Sequence, residues 1–99
     1  MAAELILTPD AGQDISDAYD WYEQRRTGLG EEFLSCLDAT IQSICRTPEL
    51  YGKAYKDYRR ALIRRFPYMV WYESSSNRVT IYSVFHSSRN PAKWRKRLS

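Results

Sequence analysis

The sequence predicts an α+β domain: a small antiparallel β-sheet with an N-terminal strand, a two-helix hairpin packed on one face, and a short C-terminal helix. Three observations carry this. A short apolar run opens the chain, two stretches of helical period follow, and after Tyr58 the texture changes to branched and aromatic residues with strand period. Ninety-nine residues suffice for one domain, residues 1–99, and for one core. An apolar content of 43% beside 27% charged residues is that of a folded globule rather than a disordered chain.

The run "AELILT" places Leu5 and Leu7 on one face of the first strand. Thr8 as N-cap and Pro9 at the first helical position then start a helix that runs to about Arg26. Ala11, Ile15, Ala18 and Tyr22 form its stripe, and Asp10, Asp14 and Asp17 sit in the early turns, where the helix dipole favours acids. "TGLG" breaks the pattern. Phe33, Leu34, Leu37, Ile41 and Ile44 mark a second helix that ends before Pro48, and the short link makes the pair an antiparallel hairpin.

"PELYGKAYKD" reads as a turn-rich connector. "YRRALIRRF", "PYMVWYE" and "VTIYSVFH" read as strands, the last two joined by "SSSNR". In the middle one Tyr68, Val70 and Tyr72 share a face, with Met69 and Trp71 on the other, so both faces are expected to be covered. At the end, Asn90 and Pro91 start a short helix on which Trp94 and Leu98 dock while Lys93, Arg95, Lys96 and Arg97 face water.

Charge divides the chain. Residues 1–57 hold five basic and eleven acidic side chains, net −6, and residues 58–99 hold ten basic and one acidic, net +9. The basic half suits an anionic partner, unless the two halves neutralise each other across the fold. Cys36 and Cys45 lie on one helix about 13 Å apart and on opposite sides, too far for a disulfide, and read as buried thiols. With one histidine they do not make a metal site of the usual spacing, and no cofactor is expected. No apolar run reaches the length of a membrane span and the N-terminus lacks a signal-peptide pattern, so a cytoplasmic protein is expected.

Three stretches are candidates for function. Arg59, Arg60, Arg64 and Arg65 flank "ALI", and strand alternation sends Arg59 and Arg65 to one face and Arg60 and Arg64 to the other. Such guanidinium pairs suit phosphates or carboxylates, or answer the acids of the first helix. His86, the only histidine, stands at the end of the last strand before Ser87, Ser88 and Arg89; it is a candidate general base or a local strand cap. Trp21 lies off the stripe of the first helix, either exposed at a protein contact or packed against the second helix or sheet. Gly28 and Gly30 lack phosphate-loop spacing and read as a turn.

Taken together, "DISDAYDWYEQRRTGLGEEFL", "RRALIRRFPYMVWYE" and "VFHSSRNPAKWRKR" resemble the ParE branch of the RelE/ParE toxin superfamily, the toxin halves of type II toxin-antitoxin modules. The resemblance spans residues 14–97 and implies a RelE/ParE-like fold. It also implies a toxin that inhibits growth, serves plasmid stabilisation, and forms a hetero-oligomer with a cognate antitoxin whose flexible segment folds along it. The ParE branch is associated with inhibition of DNA gyrase and the RelE branch with ribosome-dependent, metal-independent cleavage of mRNA. The RelE pattern is only partly met: Met69 and Ser87 stand where arginines are expected and Lys93-Trp94 where a tyrosine is, although Arg89 fits. The expectation is therefore binding rather than catalysis, with Arg60, Arg64, Arg89, Trp94, Arg95 and Arg97 facing the target and Trp21 and Tyr22 facing the antitoxin. An endoribonuclease, the alternative, would need His86, Arg60 and Arg89 as a replacement site.

Overall fold

The computed structural model describes residues 3–88 and 96–98. Its elements are β1 (Glu4–Leu7), α1 (Pro9–Arg25), α2 (Leu29–Arg46), a 3-10 turn (Pro48–Leu50), β2 (Lys53–Tyr55), β3 (Tyr58–Leu62), β4 (Tyr68–Ser75) and β5 (Arg78–His86). Residues 96–98 are helical, the described part of the short C-terminal helix. The strands form one sheet in the order β1-β5-β4-β3-β2, antiparallel throughout except that β1 runs parallel to β5. The α1–α2 hairpin covers one face.

The helices start as their residues dictate. Thr8 Oγ1 accepts the Ala11 N–H at 3.2 Å and Pro9 opens α1, so the first orphan donors are met without distorting the chain. Ala11, Ala18 and Tyr22 are buried along α1; Phe33, Leu37, Thr40 and Ile44 are buried along α2. These face Ala61, Ile63, Tyr68, Val70, Tyr72, Val79, Ile81 and Val84 on the sheet. An aromatic cluster fixes the contact: the Tyr22 ring lies 5.4 Å from Phe33 and 4.9 Å from Phe66, and Phe33 lies 5.3 Å from Tyr68. Truncating the fully buried Phe33 to alanine would cost about 3–5 kcal/mol. Cys36 and Cys45 are free, and burial pushes the Cys45 thiol up, which keeps it protonated.

The strand half departs from expectation in two places. The segment expected to run on as a strand through Phe66 ends at Leu62, and Arg64 and Arg65 lie in the turn to β4. Arg65 adopts φ 73°, a left-handed conformation that interrupts extended backbone, so the two-residue alternation covers only Arg59 and Arg60. The segment expected to be a connector contains the 3-10 turn and β2, which is too short and too exposed to show an alternating pattern.

The β4–β5 hairpin closes through Ser76 and Asn77, both at positive φ, as a two-residue loop whose twist matches its strands. Further along, Trp71 pairs with Ser83 but Tyr72 with Ile81, so Tyr82 is one residue extra in β5. That bulge shifts the alternation. Val79 and Ile81 face the hairpin before it, Val84 after it, and Trp71, Ser83 and Phe85 are left buried on the opposite face.

Candidate functional site

The hairpin turn is built by Glu23. Its carboxylate accepts the Gly28 N–H at 2.9 Å and the Gly30 N–H at 3.0 Å, satisfying amides at the start of α2 that no N-cap side chain reaches. Gly28 holds φ 91°, open to glycine at little cost, and a Cβ on Gly30 would meet the Tyr19 ring at 2.8 Å. Arg26 and Arg65 converge on Glu32 at 2.9 and 3.4 Å. The motif "WYEQRRTGLG" is thus a latch between the helices. Its outward feature is Trp21, 37% exposed, stacked under the Arg25 guanidinium at 3.8 Å and edge-on to Tyr22 at 5.0 Å. Tyr22, expected beside it at a contact surface, is 8% exposed and belongs to the core, as its place on the apolar stripe of α1 implies.

A second latch joins the two ends of the chain. β1 pairs only with residues 78–81 of β5, which leaves the rest of that strand edge to other partners. Thr8 N–H donates to the Ile81 carbonyl at 3.2 Å, and the Val84 N–H donates to Asp14 Oδ2 at 3.0 Å. The same oxygen receives Arg97 at 2.6 Å, with Asp10 at 3.9 Å from that guanidinium and the Phe85 ring 4.5 Å beneath it. Arg97, expected to face water, is therefore a structural residue with a side chain only 21% exposed. Leu98 is buried as expected. Arg89, Trp94 and Arg95, and the Asn90-Pro91 helix start, lie outside the described residues.

His86 pairs across the sheet with Tyr68, ring to ring at 5.4 Å, and so stands on the hairpin side. Its Nδ1 accepts the Ser88 N–H at 3.2 Å, the local strand-end role. Arg60 pairs with Trp71 and stands on the opposite face, its guanidinium 5.6 Å from that ring. The sheet thus separates His86 from Arg60. The other arginines of the cluster also part company: Arg59 donates to the Tyr51 carbonyl at 2.7 Å, Arg65 pairs with Glu32, and Arg64 is exposed in the turn. Among the described residues Arg60 and Arg64 make no ion pair.

Beside Arg60 the open face carries Tyr58 and Tyr82, rings 5.3 Å apart. The Tyr82 hydroxyl donates to Glu73 at 3.2 Å and is pushed up by burial and then by that carboxylate. On the other side of the domain Tyr72 donates to the Pro48 carbonyl at 2.5 Å, and burial raises its hydroxyl to about 12. A groove of about 410 Å³ runs between α2 and the end of β3, lined by Ser35, Ala39, Ser43, Tyr51, Leu62 and Arg64 among others. Sequence reasoning missed Glu23, Asp14 and this groove, although Ser35, Ala39 and Ser43 at four-residue spacing were a readable sign of an open flank on α2. Among the described residues no three metal-ligating side chains come together, and no helix is long and apolar enough to cross a membrane.

The arrangement defines a class: a two-layer α+β protein whose exposed arginines and aromatic rings offer contact chemistry to a macromolecule. Known proteins supply the family. A model described as "ParE toxin of type II toxin-antitoxin system, parDE" matches residues 5–91, and the chain belongs to this family of toxins. It is 25% identical over 92 residues to Toxin ParE2 of Mycobacterium tuberculosis, in strains CDC 1551 / Oshkosh and H37Rv, covering 92% of this chain and 88% of the relative. Its fold is shared with a chain of the chromosomal ParDE TA system from P. aeruginosa, at a TM-score of 0.76 and 12% identity, covering 86% of this chain and 96% of that one.

Proposed function

We propose that this toxin acts in the cytoplasm by binding and inhibiting DNA gyrase, without metal or cofactor, and is neutralised by a cognate antitoxin in a hetero-oligomer. The observation that carries binding over catalysis is the placement of His86 and Arg60 on opposite faces of the sheet. A general base for RNA cleavage works only within hydrogen-bond reach of the proton it takes, with cations beside the same phosphate. The target surface is Arg60 and Arg64, extended by Arg89, Trp94 and Arg95. Arg97 contributes by holding the C-terminus against Asp14, and Trp21, propped by Tyr22, is the antitoxin contact on the hairpin.

A supercoiling assay with purified gyrase tests the reading. Inhibition that is relieved by the antitoxin is expected, with mRNA left intact on purified ribosomes. Unaffected supercoiling together with message cut on the ribosome, abolished by His86→Ala, would overturn it in favour of the endoribonuclease.

A further inference from the structure

We propose that two copies of this chain pair through β1, antiparallel about a two-fold axis at Ile6, joining their two five-stranded sheets into one. β1 ends the sheet, paired in parallel with β5. The Glu4 N–H donates to the Asn77 carbonyl at 3.0 Å and the Thr8 N–H to the Ile81 carbonyl at 3.2 Å, which fixes the phase of this ladder. Glu4, Ile6 and Thr8 turn their backbone groups to β5, so those of Leu5 and Leu7 point outward. Among the described residues no backbone group bonds them there. An open edge of this kind is a template for another strand, and β1 carries no lysine or proline to blunt it.

The edge is complementary to itself. Leu5-Ile6-Leu7 reads the same in both directions, and the two residues that point outward are its ends. An antiparallel copy can therefore set Leu5 opposite Leu7 and Leu7 opposite Leu5 as hydrogen-bonded pairs, while Ile6 meets its own copy on the axis as the non-bonded pair between them. Leu5 and Leu7 are 45% and 44% exposed and stand on the side of Val79 and Ile81, so four leucines would cover one another there. Glu4, the one charge on the strand, comes opposite Thr8 and not opposite its own copy. The flanks match as well. α2 ends over the start of β1, where its Cys45 carbonyl accepts the Ala3 N–H at 3.0 Å, and Arg46 follows, exposed and without an ion pair among the described residues. α1 begins at the end of β1 with Asp10, 73% exposed, in its first turn. The two-fold brings the basic helix end of one copy beside the acidic helix start of the other, where charge and dipole both attract. β3 lies two strands beyond β5, so each copy keeps Arg60 and Arg64 uncovered and the pair presents them twice.

Sedimentation of the purified full chain over a range of concentrations, with amide exchange at both ends of that range, tests the pairing. A monomer–dimer equilibrium is expected, in which the Leu5 and Leu7 amides exchange about tenfold or more slowly in the dimer, as amides entering a ladder do. Two double variants test the register. Leu5→Lys/Leu7→Glu sets opposite charges across both bonded pairs, and Leu5→Lys/Leu7→Lys sets like charges there. Both remove the same leucines, so any cost to the fold is common to them and the difference reports the pairing. The dimer of the second is expected to be weaker than that of the first by about tenfold or more. A chain that stays monomeric up to about 1 mM would overturn the proposal. So would a dimer whose protection falls on the Leu62 amide instead, or one in which the two variants associate equally.

Discussion

Asp14 is the most informative single position, because one carboxylate oxygen serves two distant parts of the chain. It accepts the Val84 N–H at 3.0 Å and Arg97 at 2.6 Å, with its own side chain 9% exposed. Asp14→Ala leaves the amide of fully buried Val84 without an acceptor, which costs about 1–3 kcal/mol. It also leaves Arg97 partly buried beside an aromatic ring with, among the described residues, the distant Asp10 as its remaining carboxylate, and breaking a buried pair costs about 3–5 kcal/mol. The pair is not fully enclosed, so the sum is placed at about 3–4 kcal/mol, a large share of the roughly 5–15 kcal/mol total of a chain this size. For a domain of this length the melting temperature falls by about 15–25 °C.

Calorimetry or circular dichroism on the wild type, Asp14→Ala, Asp14→Asn and Arg97→Ala separates the two roles. Asparagine keeps an oxygen for Val84 and loses the charge, so its loss is expected at about 1–2 kcal/mol. The Asp14/Arg97 double-mutant cycle should return a coupling of about 1–3 kcal/mol. An Asp14→Ala protein that melts within about 2 °C of wild type would refute the reasoning, since neither lost bond could then matter. Asparagine as damaging as alanine would show that the charge, not the acceptor for β5, dominates.

Gly30→Ala drives a Cβ into the Tyr19 ring at 2.8 Å and should destabilise by about 1–3 kcal/mol in urea unfolding, since Tyr19 must move. Tyr72 gives a pH signature: its hydroxyl is raised from 10.0 to about 12 by burial, so between these values the unfolded chain loses its proton while the folded one keeps it. Its contribution to stability is whole below about pH 10 and is lost as pH rises toward 12; Tyr72→Phe should flatten that fall in urea titrations. His86→Ala is expected to leave gyrase inhibition intact, whereas Arg60→Glu should weaken it about tenfold at unchanged melting temperature, read in the supercoiling assay.

The fold was legible where apolar period was long. The stripes of α1 and α2 and the Tyr68-Val70-Tyr72 face are each repeated enough to overrule local exceptions, and Thr8-Pro9 marks a helix start by its own stereochemistry. Legibility failed where the backbone leaves the regular regions. The chain leaves β3 after Leu62 and turns through Arg65 at φ 73°, inside a run of residues that all suit a strand, and the Tyr82 bulge reverses which residues of β5 face the hairpin; composition announces neither. Both depend on what the neighbouring strand does, which is information at long range.

The candidate site was legible in residue type but not in grouping. Four arginines within seven residues look like one cluster, yet the turn and the alternation of β3 send them to a carbonyl, an indole ring, a glutamate and open solvent. The opposed charges of the two halves invited two readings, a partner or internal neutralisation, and the structure divides the arginines between them. Arg65, Arg78 and Arg97 are spent on Glu32, Glu4 and Asp14, all in the acidic half. Arg60 and Arg64 make no ion pair among the described residues, one on the open sheet face and one at the groove. A guanidinium already neutralised within the fold adds little to a new interface, because its pairing must first be broken, so of the four arginines that flank residues 61–63 it is Arg60 and Arg64, exposed and held by neither a carboxylate nor a carbonyl, that remain available to an anionic group.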